Sequence, residues 1–295
     1  MLRTSAITTN KTGTELVRMR LLPASQEFAV TDGPGKLQAA LMRRLVLPMK
    51  RYLLSSEIAH AKHEVTVVND PFFDKLGVSQ SAAWALVADI LAPLGRAVDP
   101  KIMSIQYACF AALKLSGFKP KAVLELGTAV ADTTQFLSRL FSDSEIVTVD
   151  LPLDDPIYQM ALAPAETAHE RRKQENLNQP NINAMRMNSL HILSAELPKF
   201  DLIWIDASHR YPEIAWDHFY AFHTVQPGGW VFSDDVQPML KSGRRIKTAS
   251  HAEEVLAYLN DRFPGTIDLL LKRQDAEKYV LAPKYIAAYQ KPKEK

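Results

Sequence analysis

Beyond Pro120 the chain repeats one arrangement: a short apolar run, a stretch with helical spacing, then another apolar run. The runs are Ala122 to Leu126, Ile146 to Asp150, Ile182 to Met187, Asp201 to Asp206 and Trp230 to Asp235. Among them lie the helical segments Thr133 to Phe141, Ala163 to Asn176 and Tyr211 to His223. Strands apolar on both faces, joined through helices, are the pattern of a parallel sheet covered on both sides, and these segments are long enough for right-handed crossovers. Thr266 to Lys272 and Tyr279 to Ala282, separated by the polar Arg273 to Lys278, read as a closing hairpin. The expected fold class is α/β, a doubly wound sheet over residues 119–295.

Residues 1–118 have a different character. Their apolar side chains recur at helical spacing, as in Leu37, Leu41 and Leu45 or Leu86, Ile90 and Leu91. We expect a helical N-terminal region that serves as a lid, covers an acceptor site or mediates dimerisation. Lys36, Arg43, Arg44, Lys50 and Arg51 beside the leucines of Lys36 to Leu54 suit a solvated helix packed on the next domain or on a second subunit, a membrane surface or contact with an acidic partner. The whole chain has a formal net charge of only +2, so no global field favours indiscriminate nucleic-acid binding. Cys109 is the only cysteine, which excludes an intrachain disulfide and a cysteine metal cluster and points to a reducing cytoplasm. The polar, Thr-rich start lacks a signal-peptide core, and no apolar stretch is long enough for a membrane span.

The acids decide the chemistry. Glu125, Asp150, Asp206 and the Asp234-Asp235 pair each fall at or beside the carboxyl end of an expected strand, where ligands bind in open α/β sheets. Acids closing apolar strands are costly when buried without a partner, so the pattern calls for hydroxyl donors, cations or both. After the first strand, Gly127 permits a tight turn and close approach to the backbone. A dinucleotide loop would need Gly-x-Gly-x-x-Gly, but Ala129 and Asp132 stand at its second and third glycine positions. Asp132 would also compete with a phosphate for the helix N-H groups. A nucleoside without phosphate suits this loop better, and S-adenosylmethionine (SAM) is one.

Glu125-Leu-Gly-Thr-Ala, Val147-Thr-Val-Asp150, Phe200-Asp-Leu-Ile-Trp-Ile-Asp-Ala-Ser-His209 and Pro227-Gly-Gly-Trp-Val-Phe-Ser-Asp-Asp235 together resemble the ordered motifs of class I SAM-dependent methyltransferases, particularly small-molecule O-methyltransferases. The resemblance spans residues 120–285 and implies a Rossmann-like seven-stranded sheet ordered 3-2-1-4-5-7-6 with the last strand antiparallel. It implies that Glu125, Gly127, Thr128 and Ala129 surround the methionine part of the cofactor. Asp150 would accept from both ribose hydroxyls and Leu151 would pack on adenine. Asn188 and Ser189 would read the adenine edge, although either residue equally well caps the helix that follows. Ala131 departs from the pattern, because many members carry a glycine there.

Asp206-Ala-Ser-His209 replaces the Asn/Asp-Pro-Pro-aromatic run of many amino-group methyltransferases, which disfavours base amines as acceptors. Asp206 with Asp234 and Asp235 is similar to the set that holds Mg²⁺ in metal-dependent O-methyltransferases, while the same acids equally bond loop amides in members without metal. The implied reaction is methyl transfer to a hydroxyl of a small metabolite, with Asp206 or His209 taking the proton and a divalent cation lowering the hydroxyl pKa. A homodimer is the expected assembly on general grounds. The alternatives are methylation of an RNA or protein docked on Lys36 to Leu54, a non-catalytic SAM-binding scaffold and, more distantly, a nicotinamide oxidoreductase.

Overall fold

The computed structural model describes residues 69–156, 166–237, 250–263, 267–273 and 284–293. The basic Lys36 to Leu54 segment and the expected strand Tyr279 to Ala282 lie outside them. The helices are α1 Asn69–Leu76, α2 Gln80–Leu91, α3 Gln106–Leu115, α4 Asp132–Leu140, α5 Glu166–Leu177, α6 Glu213–Thr224 and α7 Ala252–Asn260. The strands are β1 Ala122–Leu126, β2 Glu145–Asp150, β3 Ile182–Arg186, β4 Phe200–Ile205, β5 Val225–Val236, β6 Ile267–Leu271 and β7 Tyr285–Gln290.

These strands form one sheet in the order β3-β2-β1-β4-β5-β7-β6. The first five pair in parallel, and β7 runs antiparallel to both β5 and β6. The expected order and the antiparallel last strand are therefore present. That last strand is Tyr285–Gln290, downstream of the stretch read as strand from sequence.

Alternation along the strands splits the core in two. Val123, Leu202, Trp204, Trp230 and Phe232 face a layer containing Phe72 and Phe73 of α1, Trp84 and Val87 of α2, Phe110 of α3 and Phe136 of α4. Leu124, Leu126, Val147, Ile203 and Ile205 face Ile214 and Phe222 of α6 and Val255 and Leu259 of α7. Phe110 meets Trp204 and Phe232 edge-on at 5.6 and 5.3 Å between ring centroids, so α3 is keyed into the sheet by aromatic geometry. Helices upstream of residue 118 thus cover one face of the sheet that they precede in sequence. Among the described residues, no single helix is long and apolar enough to cross a membrane.

The hairpin edge places two residues that matter later. Because β7 is antiparallel, its start pairs with the end of β5, with Val236 opposite Tyr285. The link from β6 to β7 therefore begins and ends at the sheet edge where β5 carries Asp234 and Asp235, and Lys272 and Lys284 stand at its two ends. Their backbones are joined, Lys272 N donating to Lys284 O at 2.9 Å.

Candidate active site

Strand register brings the first acid to its partners. Glu125 of β1 lies opposite Thr148 of β2, so both side chains leave the sheet on one face. Thr148 Oγ1 donates to Glu125 Oε2 at 2.6 Å, and Thr134 at the start of α4 donates to the same oxygen. Thr128 and Thr148 share a further hydroxyl bond of 2.7 Å, tying the loop after β1 to the sheet. Burial pushes the Glu125 carboxyl up to about 7, against the two threonine bonds that lower it.

The loop itself is strained where a ligand would lie. Ala129 and Ala131 have φ of 46° and 61°, a left-handed conformation that costs an L-residue about 1–2 kcal/mol. Ala131 therefore keeps the backbone a glycine would take. Gly127, with φ of +96°, could not carry a side chain, because a Cβ would stand 2.3 Å from the Asp206 carbonyl oxygen. The close approach that the sequence led us to expect at Gly127 is made by the chain's own β4 end, with Asp206 N donating to Leu126 O at 2.8 Å.

Asp150 ends β2 half-buried. Its Oδ1 accepts from Leu151 N at 3.0 Å, and its Oδ2 takes the ammonium of Lys173, a residue of α5 whose side chain is 1% exposed. Arg186 adds a longer ion contact of 3.8 Å. A carboxylate offers about four lone-pair positions, and the two short bonds, to Leu151 N and Lys173, do not fill them. Lys173 was missed in the sequence, and a lone lysine in an otherwise charged helix gives no signal of burial. Asn188 Oδ1 accepts from Leu190 N at 3.0 Å, the capping bond, and Ser189 O accepts from Trp216 Nε1 at 2.8 Å.

The remaining acids meet at the ends of β4 and β5. Nε2 of His209 stands 3.8 Å from Asp206 Oδ1 and 3.8 Å from Asp235 Oδ2. Burial lowers the His209 pKa, partly opposed by the charges of Asp235 and Asp234, so the ring is neutral near pH 7. Burial and then the charge of Asp234 push the Asp206 carboxyl well above the ordinary range. Asp235, at φ 54°, sits on an irregularity between Ser233 and Val236 that turns it away from the β5 pleat. Behind the site His218, fully buried, spans Ile214 O and Ser233 Oγ at 2.7 and 2.9 Å.

The expected metal set is divided by lysines. Asp206, His209 and Asp234 present ligand atoms within 4.8 Å of one another. Lys272 Nζ, however, stands 2.5 Å from Asp234 Oδ2 and 2.6 Å from Asp235 Oδ1, and Lys284 Nζ contacts Asp235 Oδ2. Burial raises the Asp235 pKa, but the two ammonium groups outweigh it and bring the carboxyl down to about 2. Divalent ions of this class are held by carboxylates together with waters, and three carboxylate oxygens of the Asp234-Asp235 pair are already bonded to lysine. While Lys272 is in place, Asp206, Asp234 and Asp235 do not fit such an ion.

Beside His209 lies a cavity of about 250 Å³ lined by Ser208, His209, Arg210, Asp235, Gln237, Ser250 and Lys284. A larger cleft of about 380 Å³ between Ser142 and Asn183 lies at the opposite, amino end of β2 and β3, away from all five acids.

Residues 124–236 match the family model of a methyltransferase domain. Residues 124–236 are thus a methyltransferase domain, on the sheet order that the resemblance implies. No curated protein matches the chain. Among solved structures the methyltransferase is similar to an O-methyltransferase from Bacillus cereus in complex with S-adenosylhomocysteine, at 16% identity over 81% of this chain and 100% of that one, with a TM-score of 0.43. It is also similar to the O-methyltransferase TomG from Streptomyces achromogenes in complex with SAM, at 14% identity over 71% and 89% of the two chains, with a TM-score of 0.45.

Proposed function

We propose that this methyltransferase transfers the methyl group of SAM to a hydroxyl of a small, polar metabolite in the cytoplasm. The observation that carries the reading is His209, a neutral imidazole held between Asp206 and Asp235 at 3.8 Å from each and opening on a small cavity with polar walls. A cavity of about 250 Å³ suits a compact acceptor rather than a polymer segment. The cytoplasmic setting goes with Cys109, which is buried and has no second cysteine to pair with.

In this reading Asp150 accepts from the ribose hydroxyls, Leu151 covers adenine, and Asn188 and Ser189 border its edge. Gly127, Thr128 and Ala129 wrap the methionine part, and the Glu125 carboxylate acts on its ammonium by charge. SAM, when bound, supplies a methyl group on a positive sulfonium, which needs no further activation.

His209 accepts the hydroxyl proton as the new O–C bond forms and the S–C bond breaks. Asp235, held ionised by its two lysines, stabilises the imidazolium that results. Positioning by the walls of the cavity supplies most of the remaining acceleration. The divalent ion implied by the resemblance has no part in these steps, because Lys272 already holds the acids it would need.

Calorimetric titration with S-adenosylhomocysteine tests the donor site. Asp150→Ala should weaken binding at least about tenfold, since each charge-assisted bond to ribose contributes about 1.5–3 kcal/mol. Incubation with methyl-labelled SAM and a panel of hydroxylated acids, sugars and phenols tests the acceptor. Absence of nucleoside binding in the wild type would end the reading.

A further inference from the structure

We propose that Lys272 is the resident cation of the strand-end acids: it holds the position between Asp234 and Asp235 that a divalent ion would take, so methyl transfer runs without metal. The inference rests on the reading above for its reaction, but the placement of the lysine stands on its own. The side chain is 9% exposed, and its ammonium bridges one oxygen of Asp234 and one of Asp235 at 2.5 and 2.6 Å. Lys284 engages the other oxygen of Asp235. Two ammonium groups thus balance the two neighbouring carboxylates, and a divalent ion added to them would leave uncompensated positive charge in a largely buried site.

Four hydrogen bonds hold the backbone at Lys272 in place. Its carbonyl accepts from Ile105 N at 2.9 Å, and its own N-H donates to Lys284 O. One residue earlier, Leu271 N donates to Asn69 Oδ1 at 2.7 Å and Leu271 O accepts from Asn69 Nδ2 at 3.3 Å. The entries to α1 and α3 therefore clamp the end of β6 and fix the backbone from which the Lys272 side chain reaches the acids. Lys272 is a positioning residue in these terms: it fixes Asp235, which faces His209, and supplies a permanent positive charge beside the site.

The proposal predicts where a metal site would open. Asp234 Oδ1 is buried and has no hydrogen-bond partner among the described residues. Removing the ammonium would leave both Asp234 oxygens, one oxygen of Asp235, Asp206 and His209 around one empty position.

The test is a Mn²⁺ titration read by electron paramagnetic resonance on the full chain, with S-adenosylhomocysteine binding followed on the same samples. Wild type should show no saturable Mn²⁺ site in the millimolar range, and Lys272→Met should gain one site. If Lys272→Met does not fold, as judged by circular dichroism, Lys272→Gln, which removes the charge and keeps a polar group between the acids, carries the test: a saturable Mn²⁺ site that wild type lacks supports the proposal.

A saturable Mn²⁺ site in wild type that is lost in Asp234→Asn would overturn the proposal. So would a folded Lys272→Met, or in its absence a folded Lys272→Gln, that gains no site. Nucleoside binding that fails while the Mn²⁺ results hold removes the methyltransferase reading and leaves the lysine assignment standing.

Discussion

Replacing Glu125 with glutamine separates what this residue does for folding from what it does for the donor. In the folded protein its carboxyl titrates at about 7, against an ordinary value of 4.5, because burial penalises the charge more than Thr134 and Thr148 compensate. That gap corresponds to about 3 kcal/mol. The sign follows from which state holds the proton more tightly. The folded chain does, so the stability carried by protonated Glu125 is fully present below pH 4.5 and is lost as pH rises through about 7.

Glutamine keeps an oxygen for the two threonine hydroxyls and has no charge to desolvate. Glu125→Gln should therefore match wild type at about pH 4.5 and exceed it by about 3 kcal/mol near pH 8, which is roughly 6–12 °C in melting temperature for a domain of this size. Thermal melts of both proteins across that range measure the difference. S-adenosylhomocysteine should show the reverse preference. Its ammonium favours the ionised carboxylate, so wild type binds more tightly as pH rises through about 7 while the glutamine variant shows no such dependence. Melting curves that stay parallel from acid to alkaline pH would refute the account of Glu125 as a buried acid held near neutrality.

Other perturbations test other parts of the site. Gly127→Ala forces a Cβ to 2.3 Å from the Asp206 carbonyl oxygen at a positive φ, and chemical denaturation should show a loss of at least about 3 kcal/mol or no folded protein. Ala131→Gly relieves a left-handed alanine and should raise the urea midpoint by an amount worth about 0.5–1 kcal/mol. His209→Ala should lower kcat by roughly 10²- to 10⁴-fold with labelled SAM and a responsive acceptor while leaving S-adenosylhomocysteine affinity unchanged. Lys173→Ala leaves the Asp150 carboxylate without its buried partner and should cost about 3–5 kcal/mol in denaturant melts.

The sheet was largely legible because its strands are apolar on both faces, so the run Ala122 to Leu126 announces itself without any partner. The hairpin edge was less so. Tyr285–Gln290 buries alternate residues on both faces, but two of them are alanines, whose weak hydrophobic signal hid the strand. The strand β5 begins at Val225, because Gln226 to Gly229 continue it through residues that sequence reasoning assigns to turns.

The acids were found because acids at strand ends are conspicuous, and their partners were not. Lys272 lies 38 residues from Asp234 in sequence and Lys284 lies 49 from Asp235. Only the antiparallel return of β7 brings them together, and nothing local in the sequence reports a long-range pairing. Asn188 is the opposite case, where a cap reading from a short polar step describes the bond that forms.

The aromatic face under α1 to α3 decides how the enzyme can be dissected. Trp204, Trp230 and Phe232 lie side by side on the sheet and are closed off from water by Phe72 and Phe110. A polypeptide trimmed to residues 119–295 would keep every acid of the site yet present that indole and phenyl surface to solvent, beside Val123 and Leu202. Contiguous apolar patches of this kind drive self-association. A polypeptide of residues 119–295 should therefore precipitate when expressed alone, while one that retains Asn69 to Leu115 should stay in solution.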